Sequence, residues 1–401
     1  MGVKMYKIMK LNNISAQGLA LFSLDKYEIG TEITNPDVIL LRSFNMHDME
    51  LPKSLLAVGR AGAGVNNIPI DKCSEKGIVV FNTPGANANA VKELTITGML
   101  LASRDITQGI NFLGSLKGKG AEVPNLVEVN KKKFVGTEIA GKTLGIIGLG
   151  KIGVMVANSA LDLDMRVIGY DPFISVNSAW GLSRDVQRAE GLDMLISHSD
   201  YISLHTPLTD ITRGMIDTEK FKLMKKGVSV LNFSRGGIVN NDDLKKAISE
   251  GVVKRYVTDF PDDELLNMEG VIAIPHLGAS TKEAEDNCAV MVSKQIRSFI
   301  ENGNIKNSVN FPDCKLEQNS GYRLVVMNKN IPNMVGQVST ILAKADINIV
   351  EMLNKSKGDY ACTIIDASNQ PREDMIKELY NIKGVVKVRV LNLNKCEFQK
   401  V

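Results

Sequence analysis

The feature that most constrains the fold is a glycine-rich turn between two patterned segments. The turn is Gly148-Leu-Gly-Lys-Ile-Gly153, which follows the apolar run Leu144–Ile147 and opens a helical pattern over Lys151–Leu163. The next apolar run, Arg166–Tyr170, is followed by an acid, Asp171. A strand, tight turn, helix, strand and acid in this order are typical of a βαβ unit that binds a dinucleotide.

Each part of this unit has a physical reason. Gly148 permits the tight turn, Gly150 lets the backbone approach a pyrophosphate, and Gly153 lets the helix lie close to the strand. The pyrophosphate is then expected at the positive end of the helix. Asp171 is expected to accept hydrogen bonds from both ribose hydroxyls of the adenosine half and to repel a 2′-phosphate. This predicts NAD as the cofactor, and not NADP.

Strand and helix patterns alternate on both sides of this turn. Six apolar runs between residues 144 and 275 predict a doubly wound parallel sheet, and Thr281–Glu301 predicts one long helix. Residues 113–135 show little periodicity and predict a surface connection. A first parallel sheet is predicted from the runs at 37–41, 55–58 and 78–81. The fold class is therefore α/β, with a second doubly wound sheet inserted within the first domain.

The last part of the chain has a different order of elements. The patterns over residues 322–391 read βαββαβ, which is typical of a ferredoxin-like unit. The sequence thus predicts four segments: a discontinuous substrate-binding domain (1–88 and 281–310), an inserted Rossmann NAD-binding domain (89–280), a linker (311–320) and a small C-terminal domain (321–395).

Three polar residues follow strands of the second sheet and form the candidate catalytic set. Arg235 follows Val228–Asn232, Glu264 lies five residues beyond Asp259, and His276 follows Val271–Pro275. Ligands bind at the carboxyl ends of strands in such sheets. A histidine suits removal of a hydroxyl proton near neutral pH, a carboxylate would fix its tautomer, and an arginine would hold a substrate carboxylate bidentately.

The chain resembles the D-isomer-specific 2-hydroxyacid dehydrogenases over residues 35–395. The motifs that carry the resemblance are Val58–Val65, Asn82–Asn87, Thr143–Gly150, Tyr201–Pro207, Asn232–Gly237 and Pro275–Thr281. The resemblance implies Arg235 as substrate clamp, Glu264 as the partner of the histidine, and His276 as the group that transfers a proton. Counting from Asp259 or Arg235 favours Glu264, whereas counting from Phe260-Pro261 gives Asp263.

The resemblance also implies further contacts to the cofactor. Beyond the glycines and Asp171, the residues expected to touch NAD are Lys151, Ile152, Thr206, Phe233, Ser234, Arg235, Asp259, His276, Gly278 and Ala279. We expect Asp259 to lie near the nicotinamide amide. We expect no catalytic role for His205.

The first domain carries the expected substrate contacts. Arg60 precedes Gly62-Ala63-Gly64, a turn whose free N–H groups suit a carboxylate. Arg60, or alternatively Arg42 at the end of an earlier strand, suits a phosphate. The favoured function is therefore oxidation of a phosphorylated 2-hydroxy acid, D-3-phosphoglycerate, to 3-phosphohydroxypyruvate. The alternatives are reduction of another 2-oxo acid, such as glyoxylate or hydroxypyruvate, and a non-enzymatic NAD-sensing role on the same fold.

The C-terminal unit resembles the ACT domain, a regulatory module that binds amino acids. The stretch Asn328–Val335 carries the resemblance, which implies L-serine as effector and Asn330 and Asn348 as its ligands. One departure is that Pro332-Asn333 stands where the motif usually has Pro-Gly; asparagine tolerates a positive φ but is bulkier than glycine.

Composition excludes several other classes of protein. The formal net charge of +3 is too small to favour nucleic acid or membrane partners. The five cysteines are scattered, without a pattern that suggests a metal site, and favour reduced thiols in a cytoplasmic protein. The resemblance further implies a homodimer or homotetramer.

Overall fold

A computed structural model describes residues 5–317 and 321–393. The chain divides into two compact units: Met1–Ala86 with Glu285–Val401, and Asn87–Ala284. The domain boundaries predicted from the sequence lie between residues 88 and 89 and between residues 280 and 281, within four residues of those in the structure. The fold class predicted from the sequence is confirmed, because two parallel sheets and one antiparallel sheet are present.

The first unit opens with a five-stranded parallel sheet, sheet A, in the order β2-β1-β3-β4-β5. Its elements are β1 (Tyr6–Lys10), α1 (Ala16–Leu19), β2 (Tyr27–Gly30), β3 (Val38–Leu41), β4 (Ala57–Arg60), α2 (Ile70–Glu75) and β5 (Val79–Phe81). β3 is buried at every position, which agrees with its continuous apolar run. β1 and β2 were not predicted.

The second unit contains sheet B, seven parallel strands in the order β12-β11-β10-β9-β6-β7-β8. Its elements begin with α3 (Ala88–Ser103), α4 (Ile106–Ser115), α5 (Val123–Asn130), β6 (Thr143–Ile147), α6 (Lys151–Asp162), β7 (Arg166–Tyr170), α7 (Val176–Gly181), β8 (Gln187–Arg188), α8 (Leu192–His198) and β9 (Tyr201–Leu204). They continue with α9 (Thr218–Leu223), β10 (Val228–Asn232), α10 (Asn241–Ser249), β11 (Val253–Thr258), α11 (Asp263–Leu266), β12 (Val271–Ala273) and the start of α12 (Lys282–Asn302). The segment 113–135, predicted as a surface connection of little periodicity, lies largely at the surface but is helical, because it contains α5 and the end of α4.

Sheet C, four antiparallel strands in the order β14-β15-β13-β16, forms the C-terminal part of the first unit. Its elements are β13 (Tyr322–Lys329), α13 (Met334–Lys344), β14 (Ile349–Lys357), β15 (Tyr360–Ala367), α14 (Glu373–Asn381) and β16 (Val385–Asn392). This is the predicted βαββαβ order.

Sheet C is joined to the rest of the first unit by a shared core. Met327, Cys362 and Leu391 of sheet C belong to the same apolar cluster as Phe299 and Ile300 of α12. The predicted linker 311–320 also contributes to this core, since Phe311, Cys314 and Leu316 are buried; residues 318–320 lie outside the described residues. The C-terminal segment, predicted as a separate small domain, therefore belongs to the first compact unit because one face of its sheet is buried there.

Candidate active site

The glycine-rich turn between β6 and α6 is built so that only glycine fits at two positions. Gly148 has φ +96°, and a Cβ there would lie 2.6 Å from the His205 carbonyl oxygen. A Cβ on Gly153 would lie 2.0 Å from the Gly148 carbonyl oxygen. At Gly150, by contrast, a Cβ would meet no described atom within 4 Å, so this side of the turn is open to a ligand.

The N-terminus of α6 retains free donors. Its N-cap residue is Gly150, which has no side chain to cap the first N–H groups of the helix. Lys151 and Ile152 form the first turn. A pyrophosphate would satisfy these donors and be stabilised by the helix dipole, so the turn fits the group that the sequence predicted.

Asp171 lies directly after β7 and is oriented by two backbone donors. Its Oδ2 accepts a hydrogen bond from Leu149 N at 2.8 Å, and its Oδ1 accepts one from Phe173 N at 2.8 Å. Each carboxylate oxygen has two acceptor positions, so each keeps one for a further donor. The free acceptor positions fit two ribose hydroxyls, and the negative charge of the carboxylate would repel a phosphate.

Two buried acceptors at the same edge of sheet B have no hydrogen-bond partner among the described residues. They are Thr206 Oγ1, just after β9, and Asp259 Oδ1, just after β11. The other oxygen of Asp259 accepts from Gly278 N at 3.2 Å. Burial raises the pKa of Asp259, opposed by the nearby charges of His276 and Arg235. A carboxylate acceptor buried without a donor is costly, and a carboxamide N–H₂ would supply the donor.

Arg235 lies in the turn after β10, and its side chain is exposed. The side chain of Asn232 holds this turn, accepting from Ser234 N at 3.2 Å and donating to Arg235 O at 2.8 Å. The side chain of Phe233 is not available for the contact with the cofactor that the sequence predicts. The ring is buried against α3, where a Cβ on Gly98 would lie 2.5 Å from it.

His276 lies on an exposed loop, and the two candidate acids are exposed residues of α11 in the same unit. The His276 ring packs on Phe260, with 4.4 Å between ring centroids. Glu264 Oε2 accepts from Asn241 Nδ2 at 3.2 Å, whereas Asp263 is the first residue of α11. Neither acid is hydrogen-bonded to His276 in the described part of the chain, so the choice between them stays a prediction.

In the first unit, the predicted substrate turn is held from both sides. Thr83 N donates to Gly62 O at 3.1 Å, and Asn82 Nδ2 donates to Ala63 O at 2.6 Å. Arg60 Nε donates to the Arg42 carbonyl oxygen at 3.0 Å. The two arginines are therefore neighbours at the carboxyl edge of sheet A. Gly64 completes the turn.

Arg42 is fixed more firmly than the sequence suggested. Its guanidinium forms a salt bridge with Glu285, and Asn12 Oδ1 accepts from Arg42 N, Ser43 N and Phe44 N at 2.8–3.2 Å.

The predicted effector residues lie at opposite ends of β14. Asn330 Nδ2 donates to Gly358 O at 3.1 Å, next to the turn after β14, whereas Asn348 directly precedes the strand. A nine-residue strand is roughly 27 Å long, so the structure does not bring these side chains together within one chain. Asn333 has φ +64°, so it adopts the left-handed conformation expected of the missing glycine.

Sequence reasoning missed three residues that hold this machinery: Asn232, Asn241 and Asn12. Asn232 ends a strand at full burial, and a polar residue at the end of an otherwise apolar run is a readable signal. Asn12 lies in a half-buried loop and Asn241 is the half-buried first residue of α10, and no pattern distinguishes them from ordinary surface residues.

Residues 96–278 match the family model described as "D-isomer specific 2-hydroxyacid dehydrogenase, NAD binding domain". This segment belongs to that family of NAD-binding domains. The edge of sheet B that carries the glycine turn, Asp171 and the two unpaired acceptors is thus the nucleotide side of an NAD-binding domain.

Relatives of known name extend the similarity beyond the NAD-binding domain. D-3-phosphoglycerate dehydrogenase of Methanocaldococcus jannaschii is 35% identical over 372 residues, which cover 90% of this chain and 66% of the relative. The human D-3-phosphoglycerate dehydrogenase is 36% identical over 299 residues, which cover 72% of this chain and 53% of the relative. The matches therefore span between about half and two thirds of these relatives.

Two solved structures are also similar. NAD⁺-bound 3-phosphoglycerate dehydrogenase of Entamoeba histolytica has a TM-score of 0.60 at 26% identity and matches 76% of this chain and 99% of its own. A glyoxylate reductase from Paecilomyes thermophila has a TM-score of 0.60 at 26% identity and matches 76% of this chain and 98% of its own. Among the described helices, none is both long and apolar enough to cross a membrane.

Proposed function

We propose that the protein is an NAD-dependent dehydrogenase that oxidises D-3-phosphoglycerate to 3-phosphohydroxypyruvate. The observation that carries the proposal is the set of charged groups at one edge of the NAD-binding domain. There the exposed His276 and Arg235 act electrostatically on a buried Asp259 that has an unpaired oxygen. The relatives named D-3-phosphoglycerate dehydrogenase support the choice of acid.

The chemistry divides between the cofactor and this chain's residues. NAD, when bound, accepts the hydride from C2 of the hydroxy acid. His276 takes the hydroxyl proton on a ring nitrogen, and the carbonyl forms as both bonds to hydrogen break. Glu264, or alternatively Asp263, stabilises the imidazolium, while Arg235 binds the substrate carboxylate through its planar fork. Asp259 receives the nicotinamide carboxamide.

The glycine turn and Arg60, both in the first unit, are also proposed as substrate-binding residues. The N–H groups of Gly62-Ala63-Gly64 suit a carboxylate, and the adjacent Arg60 suits a phosphate. Arg42 lies beside Arg60 and pairs with Glu285. We propose Arg60 for the phosphate because it precedes the glycine turn, with Arg42 as the alternative.

A substrate panel tests the function. Reduction with NADH is measured for phosphohydroxypyruvate, hydroxypyruvate and glyoxylate, in the wild type and in Arg60→Met. We expect the wild type to prefer the phosphorylated acid. Arg60→Met should lose about 10- to 100-fold in kcat/KM for it and less for hydroxypyruvate, because only the phosphorylated acid loses a phosphate contact, whereas the lost bond to Arg42 O affects both acids alike. Arg188→Met, on the edge strand β8, is the matched control. Equal use of glyoxylate and phosphohydroxypyruvate by the wild type would overturn the choice of substrate.

The ferredoxin-like C-terminal part is proposed to act as an ACT domain that binds L-serine. Its βαββαβ order and the left-handed Asn333 support this. Because Asn330 and Asn348 lie at opposite ends of β14, we place the effector between two chains, with one residue from each. Titration of serine in the wild type and in Asn348→Ala tests the site. Insensitivity of the wild type to millimolar serine contradicts regulation, and equal inhibition of both proteins contradicts the site.

A homo-oligomer is also proposed, and an apolar surface supports it. No side chain of α4 or α5 is buried. Several apolar residues of these helices and of the chain up to residue 135 are exposed: Ile106, Ile110, Leu113, Val129 and Val135. Exposed apolar clusters of this kind are typical of contact surfaces. Sedimentation of the wild type and of Ile110→Asp tests whether two copies pair here. The cytoplasmic location predicted from the reduced cysteines stays a prediction.

A further inference from the structure

A buried side chain organises the turn that carries Arg235. Asn232 is fully buried at the end of β10, and all its hydrogen-bonding atoms are used. Its Oδ1 accepts from Ser234 N at 3.2 Å, Ser234 Oγ at 3.0 Å and Arg235 N at 3.4 Å. Its Nδ2 donates to Arg235 O at 2.8 Å and to the hydroxyl of Tyr256 at 3.0 Å. One amide group therefore fixes both peptide groups that flank the Arg235 side chain.

The same hydrogen-bond chain continues into the neighbouring strand. Tyr256 and Thr258 are both buried and lie two residues apart on β11, so their side chains are on the same face of the sheet. Thr258 Oγ1 accepts from Phe260 N at 3.0 Å. The ring of Phe260 packs on the ring of His276 at 4.4 Å between centroids. These contacts lead from the turn of Arg235 to the residue that supports His276.

We infer that Asn232, Tyr256 and Thr258 form a positioning network that holds Arg235 and the Phe260–His276 pair in register with each other. The inference rests on the proposed function, because it assigns these three residues to the geometry of that site. None of them needs to touch the substrate. Their effect is to remove the freedom of two loops that must present a guanidinium and an imidazole to one small molecule.

The network is better explained by positioning than by strand stability. β10 is buried at every position, and a buried amide gains nothing over an apolar side chain unless every donor and acceptor is matched. Here all the partners of Asn232 lie in the Arg235 turn or on β11 at the carboxyl edge of the sheet. A polar network confined to that edge fixes loop geometry, which an apolar side chain cannot do.

The first experiment compares Tyr256→Phe with Tyr201→Phe. Tyr201 is a matched control, because it is also a tyrosine buried on a strand of the same sheet. Tyr256→Phe should raise the KM for the 2-oxo acid about 10-fold, since a small displacement of binding groups is costly. The affinity for NADH should change less than about twofold. An unchanged KM in Tyr256→Phe, or an equal rise in Tyr201→Phe, would overturn the inference.

A double-mutant cycle tests whether Tyr256 acts through Arg235. In an Arg235→Lys background, Tyr256→Phe should change KM by less than about twofold, because the planar fork that the network orients is already gone. Thr258→Ser, which keeps the hydroxyl, should behave as wild type, whereas Thr258→Val should not. A full 10-fold effect of Tyr256→Phe in both backgrounds would mean that it acts elsewhere and would contradict the network.

Amide hydrogen exchange separates this inference from the proposed function, since it needs no substrate. Exchange at Ser234, Arg235 and Phe260 should be about 10-fold faster in Tyr256→Phe than in wild type, and unchanged in Tyr201→Phe. If the protein has no activity on any 2-oxo acid but still shows these exchange rates, the proposed function is refuted and the network is supported. Unchanged exchange at these amides would refute the network whatever the activity.

Discussion

Two regions of the molecule bury polar side chains in opposite ways. In the first unit, Arg323 is fully buried, and its guanidinium pairs with both oxygens of Asp366 at 2.6 and 2.8 Å and donates to Asn302 O and Glu317 O. At the nucleotide edge of sheet B, Thr206 Oγ1 and Asp259 Oδ1 are buried with no partner among the described residues.

This difference separates buried polar groups that stabilise the fold, because they are paired within the chain, from those that a ligand could pair. Arg389 follows the first pattern: its guanidinium donates to Phe299 O and Ile300 O near the end of α12, each at 3.0 Å. These bonds satisfy carbonyl groups that a helix C-terminus leaves free. Buried atoms without a partner among the described residues also occur in the first unit, such as Ser293 Oγ and Gln295 Oε1. The two at the edge of sheet B point to a cofactor because the glycine turn and Asp171 lie at the same edge.

The largest expected effect is on the paired region. Arg323→Met leaves the Asp366 carboxylate buried without its partner, so we expect the free energy of unfolding to fall by about 3–5 kcal/mol. The exposed Arg184→Met is the matched control and should change it little. Denaturant unfolding measures both. If the free energy of unfolding falls by the same small amount in both variants, the ion pair between Arg323 and Asp366 does not stabilise the fold.

The next effect concerns catalysis at the other region. His276→Asn should lower turnover by about 10²-fold, because the proton acceptor is removed while the cofactor contacts remain. NADH binding, followed by the fluorescence of the bound cofactor, should be nearly unchanged. Turnover close to that of the wild type would exclude His276 as the proton-transferring group.

A smaller effect is expected on the choice of cofactor. Asp171→Ala removes two acceptor oxygens and a negative charge, so the preference for NAD over NADP should narrow by about 10-fold. The ratio of kcat/KM for the two cofactors measures it. A wild type that uses NADPH as efficiently as NADH would refute the role given to Asp171.

The smallest expected effect is on the free energy of unfolding, which the buried carboxylate of Asp259 lowers when one of its oxygens has no hydrogen-bond partner. Burial raises its pKa above the ordinary value of 3.8, so the folded state binds the proton more tightly than the unfolded state does. Above that ordinary pKa the folded protein therefore carries a penalty for the charged form, and below it the penalty disappears. Asp259→Asn should stabilise the cofactor-free protein by about 1 kcal/mol at pH 7 and weaken NAD binding.

The pH dependence of this difference is the control. The gain in stability of Asp259→Asn over wild type should shrink as the pH falls towards 4, because the wild-type carboxyl becomes neutral. A gain that is the same at both pH values, or a variant less stable at pH 7, would show that the carboxylate of Asp259 is fully compensated without a ligand.

Sequence patterns were sufficient where burial is regular. β3, β6 and β10 are buried at every position, and their apolar runs were read directly. β1 was missed because its burial is uneven and two of its five residues, Lys7 and Lys10, are lysines. α4 and α5 were missed because neither buries a side chain, although Ile106, Ile110 and Leu113 of α4 recur at the helical period.

The site was predictable as a set of residues but not as a geometry. The glycine turn and Asp171 follow from spacing, because a dinucleotide requires them at fixed positions. The burial of Phe233 against Gly98, and the hydrogen bonds of Asn232 to the turn of Arg235, depend on which strands and helices become neighbours. Such contacts between distant parts of the chain leave no local pattern in the sequence.

The most direct test of the proposed activity is the transfer of isotope between cofactor and substrate. The wild type is incubated with NADH that carries deuterium at the transferable position of the nicotinamide, together with phosphohydroxypyruvate, and the product is examined by mass spectrometry and NMR. We predict one deuterium at C2 of D-3-phosphoglycerate, and about 10²-fold less of this labelled product from His276→Asn over the same short time. Absence of label at C2 with wild-type protein, while NADH is bound, would contradict hydride transfer to this acid.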